Sequence, residues 1–381
     1  MRILHVIDSL GFGGGAEHAL RLQLPELQRR GIESSVVCLR ARSGPLANLV
    51  RREGTPVTVL RPGSRLAQAS ELRDMIRWRA PDVVHATLFD SCLLSRLATP
   101  RGIGLVNSLV STNYARVRVQ ELGAAPLKRR AVWAVDRLTI SRVTHVHALT
   151  GSVALEAQNV LGVRRDRITI VPRGRSAAAL GERSEERRSR VRAGLGLEPS
   201  RLVFVNAARQ EPPKAQALLV RAFARVLADR PDATLLVAGR EGNATADLRA
   251  AIEETGTGEA VRMLGYREDV ADLVAASDIF VFPSHYEGLG SVLIEAMAVG
   301  TPIVASDIPA IREVLADGEA GRLTPRGDAD SLATALLELA ADPELRADLA
   351  RRGRERFLST YTLEHVVDQT VALYRRAAPT A

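Results

Sequence analysis

The chain has 381 residues, of which 46% are hydrophobic and 25% charged, and its formal net charge is +8. This length exceeds one ordinary hydrophobic core and predicts two domains, and the composition excludes a disordered protein. The longest stretch without Asp, Glu, Lys or Arg, Gly102 to Ala115, is too short to span a bilayer. We expect no signal peptide and a cytoplasmic protein in which Cys38 and Cys92 are buried thiols.

Positive charge is concentrated in the first half of the chain. Residues 1–180 carry 27 Lys plus Arg against 13 Asp plus Glu, whereas the remaining residues carry 25 against 31. A basic half of this kind is typical of a solvated arginine-rich surface, or of a surface that attracts anionic lipid, a phosphorylated acceptor or nucleic acid. We expect no nucleic-acid partner and leave peripheral contact with the inner face of an anionic membrane open.

Short β-type runs alternate with helical stretches along most of the chain. In the first half the predicted strands are Ile3–Ile7, Ser35–Leu39, Val57–Leu60, Val83–Leu88, Leu105–Val110, Val146–Leu149 and Ile168–Val171. In the second half they are Leu202–Ala207, Thr234–Ala238, Val261–Leu264, Ile279–Phe282 and Ile303–Ala305. Alternation of strands and helices implies parallel sheets, and two such sets imply two doubly wound domains.

The boundary between the two predicted domains falls where an apolar strand is missing. Residues 176–200 are rich in Arg, Glu, Ser, Gly and Ala, and we interpret them as a linker. They contain one charged helix, predicted over Glu185–Leu195. The first domain is therefore predicted over residues 1–175 and the second over residues 201–361.

A glycine-rich loop follows the first predicted strand. The segment Gly11-Phe12-Gly13-Gly14-Gly15-Ala16 fits the Gly-x-Gly-x-x-Ala fingerprint of dinucleotide-binding folds. A nicotinamide-dependent dehydrogenase also needs an acidic residue at the end of the next strand, but that strand is followed by Arg40 and Arg42. The missing acid argues against this alternative function.

Two cations follow the first strand of the second half. Arg209 and Lys214 lie between that strand and a helix that begins after Pro212 and Pro213. Open α/β sheets bind ligands at the carboxyl ends of their strands, although a solvated loop is the simpler alternative. Lys214 is one of only two lysines in the chain, which indicates that a compact point charge is needed at this position.

Two glutamates flank a second strand-to-helix turn. Glu287 follows the predicted strand Ile279–Phe282, and Glu295 lies in the first turns of a helix predicted over Val292–Val299. The backbone N–H groups at such a turn form an anion site at the positive end of the helix dipole. Carboxylates on both sides of a phosphate site suit a nucleotide sugar, while an ordinary helix start with acidic residues remains an equal alternative.

Together these motifs resemble those of the retaining GT-B glycosyltransferases, a family that includes bacterial mannosyl-, glucosyl- and N-acetylglucosaminyltransferases. The family's Arg and Lys, five residues apart, match Arg209 and Lys214. Its two glutamates, separated by seven residues, match Glu287 and Glu295, and its Gly-Gly-Ala-Glu loop matches residues 14–17. The order of these motifs along the chain is more specific than any one of them.

The resemblance implies an α/β GT-B fold, with two doubly wound Rossmann-like domains facing across a cleft and a last helix, 362–377, packing back on the first domain. It implies that the enzyme retains anomeric configuration and moves a hexosyl group from a nucleoside-diphosphate sugar to a hydroxyl of a small-molecule or lipid-linked acceptor. The donor is expected to be a UDP- or GDP-sugar, with UDP favoured. We expect no metal and no further cofactor, because cations and helix amides can neutralise the diphosphate. The Asp328-Ala329-Asp330 motif is interpreted as a helix start.

By the same resemblance the site residues have expected roles. Arg209, Lys214 and Glu287 are the expected catalytic residues: the two cations would stabilise the departing phosphate, and Glu287 would hold hydroxyls of the transferred sugar without acting as a nucleophile. Glu295 would hold the ribose hydroxyls. The remaining expected donor contacts, largely from the backbone, are Gly14, Gly15, Leu264, Gly265, Gly288, Leu289, Gly290, Ser291 and Val292.

The acceptor side departs from the family pattern. Many members carry a histidine after the strand equivalent to Leu105–Val110, near the reacting sugar, and this chain has none there. Thr112 or Asn113 could supply a hydrogen bond instead. His85 is a further candidate acceptor contact, although a structural histidine is an equal alternative.

Other conspicuous residues have simpler interpretations. His145 and His147 lie on one face of a predicted strand, but no third zinc ligand is near in sequence, so we predict a structural role for both. Trp78 and Trp133 are predicted to lie in the core. A non-catalytic protein that binds anionic lipid need not keep the motif set, and a sugar-nucleotide epimerase would lack the second-half motifs.

Overall fold

The computed structural model of the protein describes residues 1–11, 14–111 and 126–379. The chain forms two compact units. The first comprises Met1–Gly174 together with Leu363–Ala381, and the second comprises Arg175–Thr362. The candidate acceptor residues Thr112 and Asn113 lie outside the described residues.

The first unit is built on a seven-stranded sheet in which neighbouring strands are parallel. Its strands are β1 (Arg2–Ile7), β2 (Glu33–Cys38), β3 (Val57–Val59), β4 (Val83–Thr87), β5 (Gly104–Leu109), β6 (His145–Ala148) and β7 (Ile168–Ile170). They are arranged in the order β3-β2-β1-β4-β5-β6-β7. Because parallel neighbours need crossover connections, helices separate most of the strands in the chain.

Helices described in the first unit pack on this sheet. They are α1 (Gly15–Arg29), α2 (Leu46–Arg52), α3 (Arg65–Arg79), α4 (Phe89–Ala98), α5 (Pro126–Thr139), α6 (Gly151–Asn159) and, from the end of the chain, α16 (Leu363–Ala377). The last helix belongs to this unit because its buried Val367, Leu373 and Tyr374 share an apolar cluster with Ile3 and Leu27.

The second unit is built on a six-stranded parallel sheet. Its strands are β8 (Val203–Ala207), β9 (Thr234–Ala238), β10 (Val261–Gly265), β11 (Ile279–Phe282), β12 (Ile303–Ser306) and β13 (Arg322–Thr324). Their order is β10-β9-β8-β11-β12-β13. The helices are α7 (Ala177–Leu180), α8 (Glu185–Gly194), α9 (Gln216–Asp229), α10 (Thr245–Glu254), α11 (Val270–Ala276), α12 (Ser291–Val299), α13 (Pro309–Val314), α14 (Ala329–Ala341) and α15 (Pro343–Thr360).

The predicted fold class is confirmed, since every predicted strand is present within one or two residues of its expected bounds. The continuous apolar runs arise because strands such as β9 and β11 are buried along their whole length. Strand β13 was not predicted. It has only three residues, and it begins with the exposed Arg322, so it carries no apolar run.

Residues 176–200, interpreted from sequence as a linker, form part of the second unit. They contain α7 and α8, and the side chain of Arg192 in α8 is buried. Its guanidinium donates hydrogen bonds to the Ala276 carbonyl and to the Asp278 carboxylate, at 2.8 and 2.7 Å. This segment lacks an apolar strand but is folded, because a buried charged residue anchors it.

The prediction that both tryptophans lie in the core is wrong. Trp78 is 81% exposed, because it lies on the face of α3 opposite to the buried Leu72 and Ile76. Trp133 is partly exposed on α5, and its indole N–H donates to the Val160 carbonyl at 3.2 Å.

Both cysteines match the expectation from sequence. Cys38 and Cys92 are buried free thiols, and burial raises their pKa to about 11 and about 12. Among the helices that the structure describes, none combines the length and the apolar character needed to cross a bilayer.

Candidate donor site

The strand order of the second unit reverses at its centre. The chain runs from β8 outward to β9 and β10, and then returns to the other side of β8 as β11. Ligands of open α/β sheets bind at such a reversal, beyond the carboxyl ends of the strands, where the two connecting loops diverge. The loops that follow β8 and β11 carry Arg209, Lys214 and Glu287, so the topology places these predicted residues at the reversal.

The loop after β8 is fixed to its strand by a buried glutamine. Gln216, the first residue of α9, donates from its side-chain amide to Asn206 Oδ1 at 2.8 Å and to the Ala208 carbonyl at 3.2 Å. A single 3-10 turn, Pro212–Lys214, lies between Ala208 and Gln216. Arg209 is 70% exposed, and one of its guanidinium nitrogens lies 4.0 Å from Glu211. Arg209 therefore presents its charge to solvent while Lys214 is held closer to the sheet.

The loop after β11 is joined to the loop after β8 through the main chain. The N–H of His285 donates to the Pro213 carbonyl at 2.8 Å. Gly290 precedes α12 in the left-handed region, at φ +77°, and a Cβ there would lie 3.3 Å from Phe282 Cε1. The backbone N–H groups of the first turn of α12 lie at the positive end of the helix dipole, and that of Leu293 donates to the Gly290 carbonyl at 2.9 Å. The turn thus has the geometry of an anion site.

Replacing Gly290 with alanine should cost about 1–2 kcal/mol of stability, because an L side chain is strained at positive φ. The start of α12 would also shift, so we expect weaker binding of a diphosphate. Chemical denaturation and calorimetric titration with UDP measure the two effects. Gly258→Ala is the control, since a Cβ there meets no atom within 4 Å. An alanine variant as stable as that control would contradict the strain argument.

Lys214 and Glu287 form an ion pair between the two loops. The ammonium donates to Glu287 Oε1, and the two side chains are only 20% and 12% exposed. The same ammonium lies 5.3 Å from the centre of the Phe282 ring. Charges in such a partly buried place act more strongly on a ligand than charges in water do.

Glu295 is paired with an arginine that the sequence did not single out. Nε of Arg175 donates to Glu295 Oε1 at 2.8 Å. The Arg175 side chain is 6% exposed and that of Glu295 is 20% exposed. The two residues are 120 positions apart, so no local spacing links them. The carboxylate expected to bind ribose therefore has a fixed protein partner.

Leu264 and Gly265, two of the expected donor contacts, lie at the carboxyl end of β10. Gly265 follows Leu264 at φ +65°, and its carbonyl accepts from the Gly239 N–H at 2.7 Å. A pair of side chains next to this turn carries no signal in the sequence. The guanidinium of Arg240 lies 4.7 Å from the centre of the exposed Tyr266 ring, which is a cation–π contact.

Gly14 and Gly15 belong to the first unit, at the start of α1. The Gly14 N–H donates to Glu17 Oε2 at 2.9 Å, so the Glu17 carboxylate satisfies a backbone donor at the amino end of the helix. A Cβ on Gly15 would lie 2.5 Å from Nη1 of Arg173, so the glycine makes room for that guanidinium. The role of Gly15 towards a donor diphosphate stays a prediction.

His85 lies inside the first unit with both ring nitrogens bonded. Nδ1 lies 2.7 Å from the Tyr374 hydroxyl, and Nε2 lies 2.7 Å from Ser108 Oγ. Burial lowers its pKa well below the ordinary value. His147 also contacts Ser108, at 2.7 Å, and burial lowers its pKa to about 4. These contacts agree with a structural interpretation of both histidines, and the acceptor contact of His85 stays a prediction.

The Asp-x-Asp motif starts a helix, as interpreted from sequence. Asp328 caps α14 by accepting hydrogen bonds from the N–H groups of Asp330 and Ser331, both at 3.0 Å, and Asp330 pairs with Arg225. In the ranges 1–11, 14–111 and 126–379, no group of three or more His, Cys, Asp or Glu residues could hold a metal ion.

Two family models match the chain, one in each half. The model "Glycosyl transferase 4-like domain" matches residues 14–174, and the model "Glycosyl transferases group 1" matches residues 187–356. The second match contains Arg209, Lys214, Glu287 and Glu295.

Similarity to individual proteins supports the same family assignment. Phosphatidyl-myo-inositol mannosyltransferase of Mycolicibacterium smegmatis is 31% identical over 90% of this chain and 85% of its own length. D-inositol 3-phosphate glycosyltransferase of Jonesia denitrificans is 28% identical over 77% of this chain and 72% of its own length. The crystal structure of Anabaena HepE in complex with UDP has the same fold, with a TM-score of 0.84 at 22% identity over 98% of this chain and 99% of that one. The chain is therefore a glycosyltransferase of the group 1 family, with the GT-B fold.

Proposed function

We propose that the protein transfers a hexosyl group from a UDP-sugar to a hydroxyl acceptor, with retention of anomeric configuration and without a metal ion. The observation that carries the proposal is the convergence, at one sheet reversal, of Lys214, Glu287 and the amino terminus of α12, with Glu295 on the same helix. A phosphate site flanked by two carboxylates fits a ligand with hydroxyls at both ends of a diphosphate.

Charge neutralisation replaces the metal in this proposal. When the bond to the sugar breaks, negative charge grows on the distal phosphate oxygen of UDP. The Lys214 ammonium, the Arg209 guanidinium and the first amides of α12 would stabilise it. A single well-placed donor of this kind contributes about 3–4 kcal/mol to transition-state stability. Three such contributions are enough to make an additional cation unnecessary.

Glu287 would orient the sugar rather than attack it. Its carboxylate is engaged by Lys214, which ties it to the phosphate end of the site. In the reaction we propose, the bond from the anomeric carbon to the phosphate oxygen breaks, and the acceptor oxygen bonds to the same face of that carbon. The acceptor's proton passes to the departing phosphate oxygen. Atoms and charges balance without a covalent enzyme intermediate.

The choice of UDP and of a hydroxyl-rich acceptor is drawn from similar proteins. HepE was crystallised with UDP and with UDP-glucose, and both named relatives act on inositol compounds. We extend only the class to this chain: a UDP-sugar as donor, and a polyol hydroxyl on a small or lipid-linked molecule as acceptor. The family matches disfavour a dehydrogenase and a non-catalytic lipid-binding protein.

UDP should stabilise the protein against heat, with or without EDTA. At a ligand concentration of 100 times Kd the expected gain is about 2.7 kcal/mol, or roughly 5–10 °C for a unit of this size. A thermal-shift panel of UDP, GDP, NAD and several UDP-sugars measures it. A loss of the UDP shift in EDTA would contradict metal independence, and a shift with NAD alone would contradict the proposed function.

A further inference from the structure

We propose that Arg175 is a positioning residue of the donor site, which holds the Glu295 carboxylate in the orientation that binds the ribose hydroxyls of the nucleotide. This inference rests on the proposed function and on the ribose role that the family resemblance implies for Glu295. Arg175 lies between the two family-model matches, which end at residue 174 and begin again at residue 187. Neither match therefore assigns it a role.

The contact between the two side chains is direct and shielded from water. Nε of Arg175 donates to Glu295 Oε1 at 2.8 Å, and the guanidinium side chain is 6% exposed. A hydrogen bond between two charged groups is stronger than a neutral one. A carboxylate accepts about four hydrogen bonds, so this one leaves lone pairs on both oxygens for a ligand.

Arg175 can orient Glu295 because its own backbone is anchored. It is the first residue of the second unit, and Thr362 is the last. The Arg175 N–H donates to the Tyr361 carbonyl at 2.9 Å, and Arg175 forms a parallel β-bridge with Thr362. The entering and leaving segments of the unit are therefore joined at the residue that holds the carboxylate.

Orientation matters because the ribose hydroxyls are directional ligands. A glutamate on a helix surface samples several rotamers, and fixing one of them costs entropy at the moment of binding. Arg175 fixes Glu295 in advance. Without it, hydrogen bonds from the two ribose hydroxyls to Glu295 would have to overcome that cost, and their contribution to nucleotide affinity would shrink.

The test compares UDP with 2′,3′-dideoxyuridine diphosphate, which lacks both ribose hydroxyls, by calorimetric titration of the full chain. We expect the unmodified protein to bind UDP about 30-fold more tightly than the dideoxy analogue, since both hydroxyls donate to a charged acceptor. In Arg175→Gln that ratio should fall to about 3-fold, because the hydrogen bonds lose a preformed acceptor. If Arg175 had a purely structural role, the substitution would weaken the binding of both ligands equally and leave the ratio of their affinities unchanged.

The matched control is Arg187→Gln. Nε of Arg187, a residue of α8, donates to Asp272 Oδ1 at 2.7 Å, and the Arg187 side chain is 14% exposed. The control substitution therefore removes an ion pair similar to that of Arg175. Its ratio should equal that of the unmodified protein. Arg175→Lys keeps the charge but lacks the Nε–H, and we expect a ratio of about 10 because a lysine ammonium has no fixed direction.

An Arg175→Gln variant that keeps the 30-fold ratio would overturn the inference. If the glutamine variant does not fold, the affinity ratio of Arg175→Lys is measured instead, and a ratio equal to that of the unmodified protein would overturn the inference. If the unmodified protein binds UDP without preference over the dideoxy analogue, both this inference and the ribose role of Glu295 are wrong. A protein that does not bind UDP at all overturns the proposed function, and the inference with it.

Discussion

Replacing Lys214 with alanine should lower kcat/KM for glycosyl transfer by about 100- to 1000-fold, the loss expected when one donor that stabilises a developing anion is removed. The Lys214 side chain is 20% exposed, and its ammonium donates to the Glu287 carboxylate and lies 5.3 Å from the centre of the Phe282 ring. In this partly buried place its charge is only weakly screened by water. Steady-state kinetics with a UDP-sugar measure the loss, most of which should lie in kcat.

Two further variants separate the charge of Lys214 from its effect on folding. Arg221→Ala removes a cation of α9, the helix that follows Lys214, and should leave turnover unchanged; Arg221 pairs with Glu254 of α10 at 3.1 Å. Lys214→Arg keeps the positive charge and should retain more activity than the alanine variant, although its larger head group cannot occupy the same position. If Lys214→Ala retains more than about a tenth of the turnover, Lys214 does not supply the donor effect expected of it.

Residues next to one another in the chain made the fold and the site loops predictable. Strands such as β9 and β11 are buried on both faces, so each appears in the sequence as an unbroken apolar run. Lys214 and Glu287 could each be placed at the end of such a strand. In a parallel sheet the carboxyl ends of the strands lie at one edge, so these two residues had to lie at the same edge of the second sheet.

Contacts between residues far apart in the chain were not predictable. The partner of Glu295 is Arg175, 120 positions away, and many arginines of this chain could have filled that place. The same holds for Arg240 and Tyr266, which meet only because β9 and β10 are neighbours. The prediction for Trp78 failed for a local reason. A large apolar side chain is expected in the core, but Trp78 lies on the solvent-facing side of its helix and is exposed.

Replacing Arg192 with methionine should destabilise the second unit by about 3–5 kcal/mol, because it removes one partner of a buried ion pair and leaves buried hydrogen-bond acceptors unpaired. Asp278 would keep its ion pairs with Arg188 and Arg183, at 3.0 and 3.4 Å. The Arg192 side chain is 1% exposed. Its guanidinium donates to the carbonyls of Ala276, Pro199 and Arg201 at 2.8, 2.7 and 2.7 Å, and to Asp278 at 2.7 Å. Methionine would leave all four acceptors without these hydrogen bonds.

Asp278 makes the loss severe. Burial alone would raise the pKa of its carboxyl group, but the hydrogen bond from the Val203 N–H and the nearby Arg192 and Arg188 bring the pKa below its ordinary value. The carboxylate is therefore charged in the folded protein and depends on its cations. Differential scanning calorimetry should show Tm falling by roughly 10 °C. Arg190→Met, two residues away on the exposed face of α8, is the matched control, and equal Tm values for the two variants would show that the buried guanidinium is not what holds residues 176–200 in the second unit.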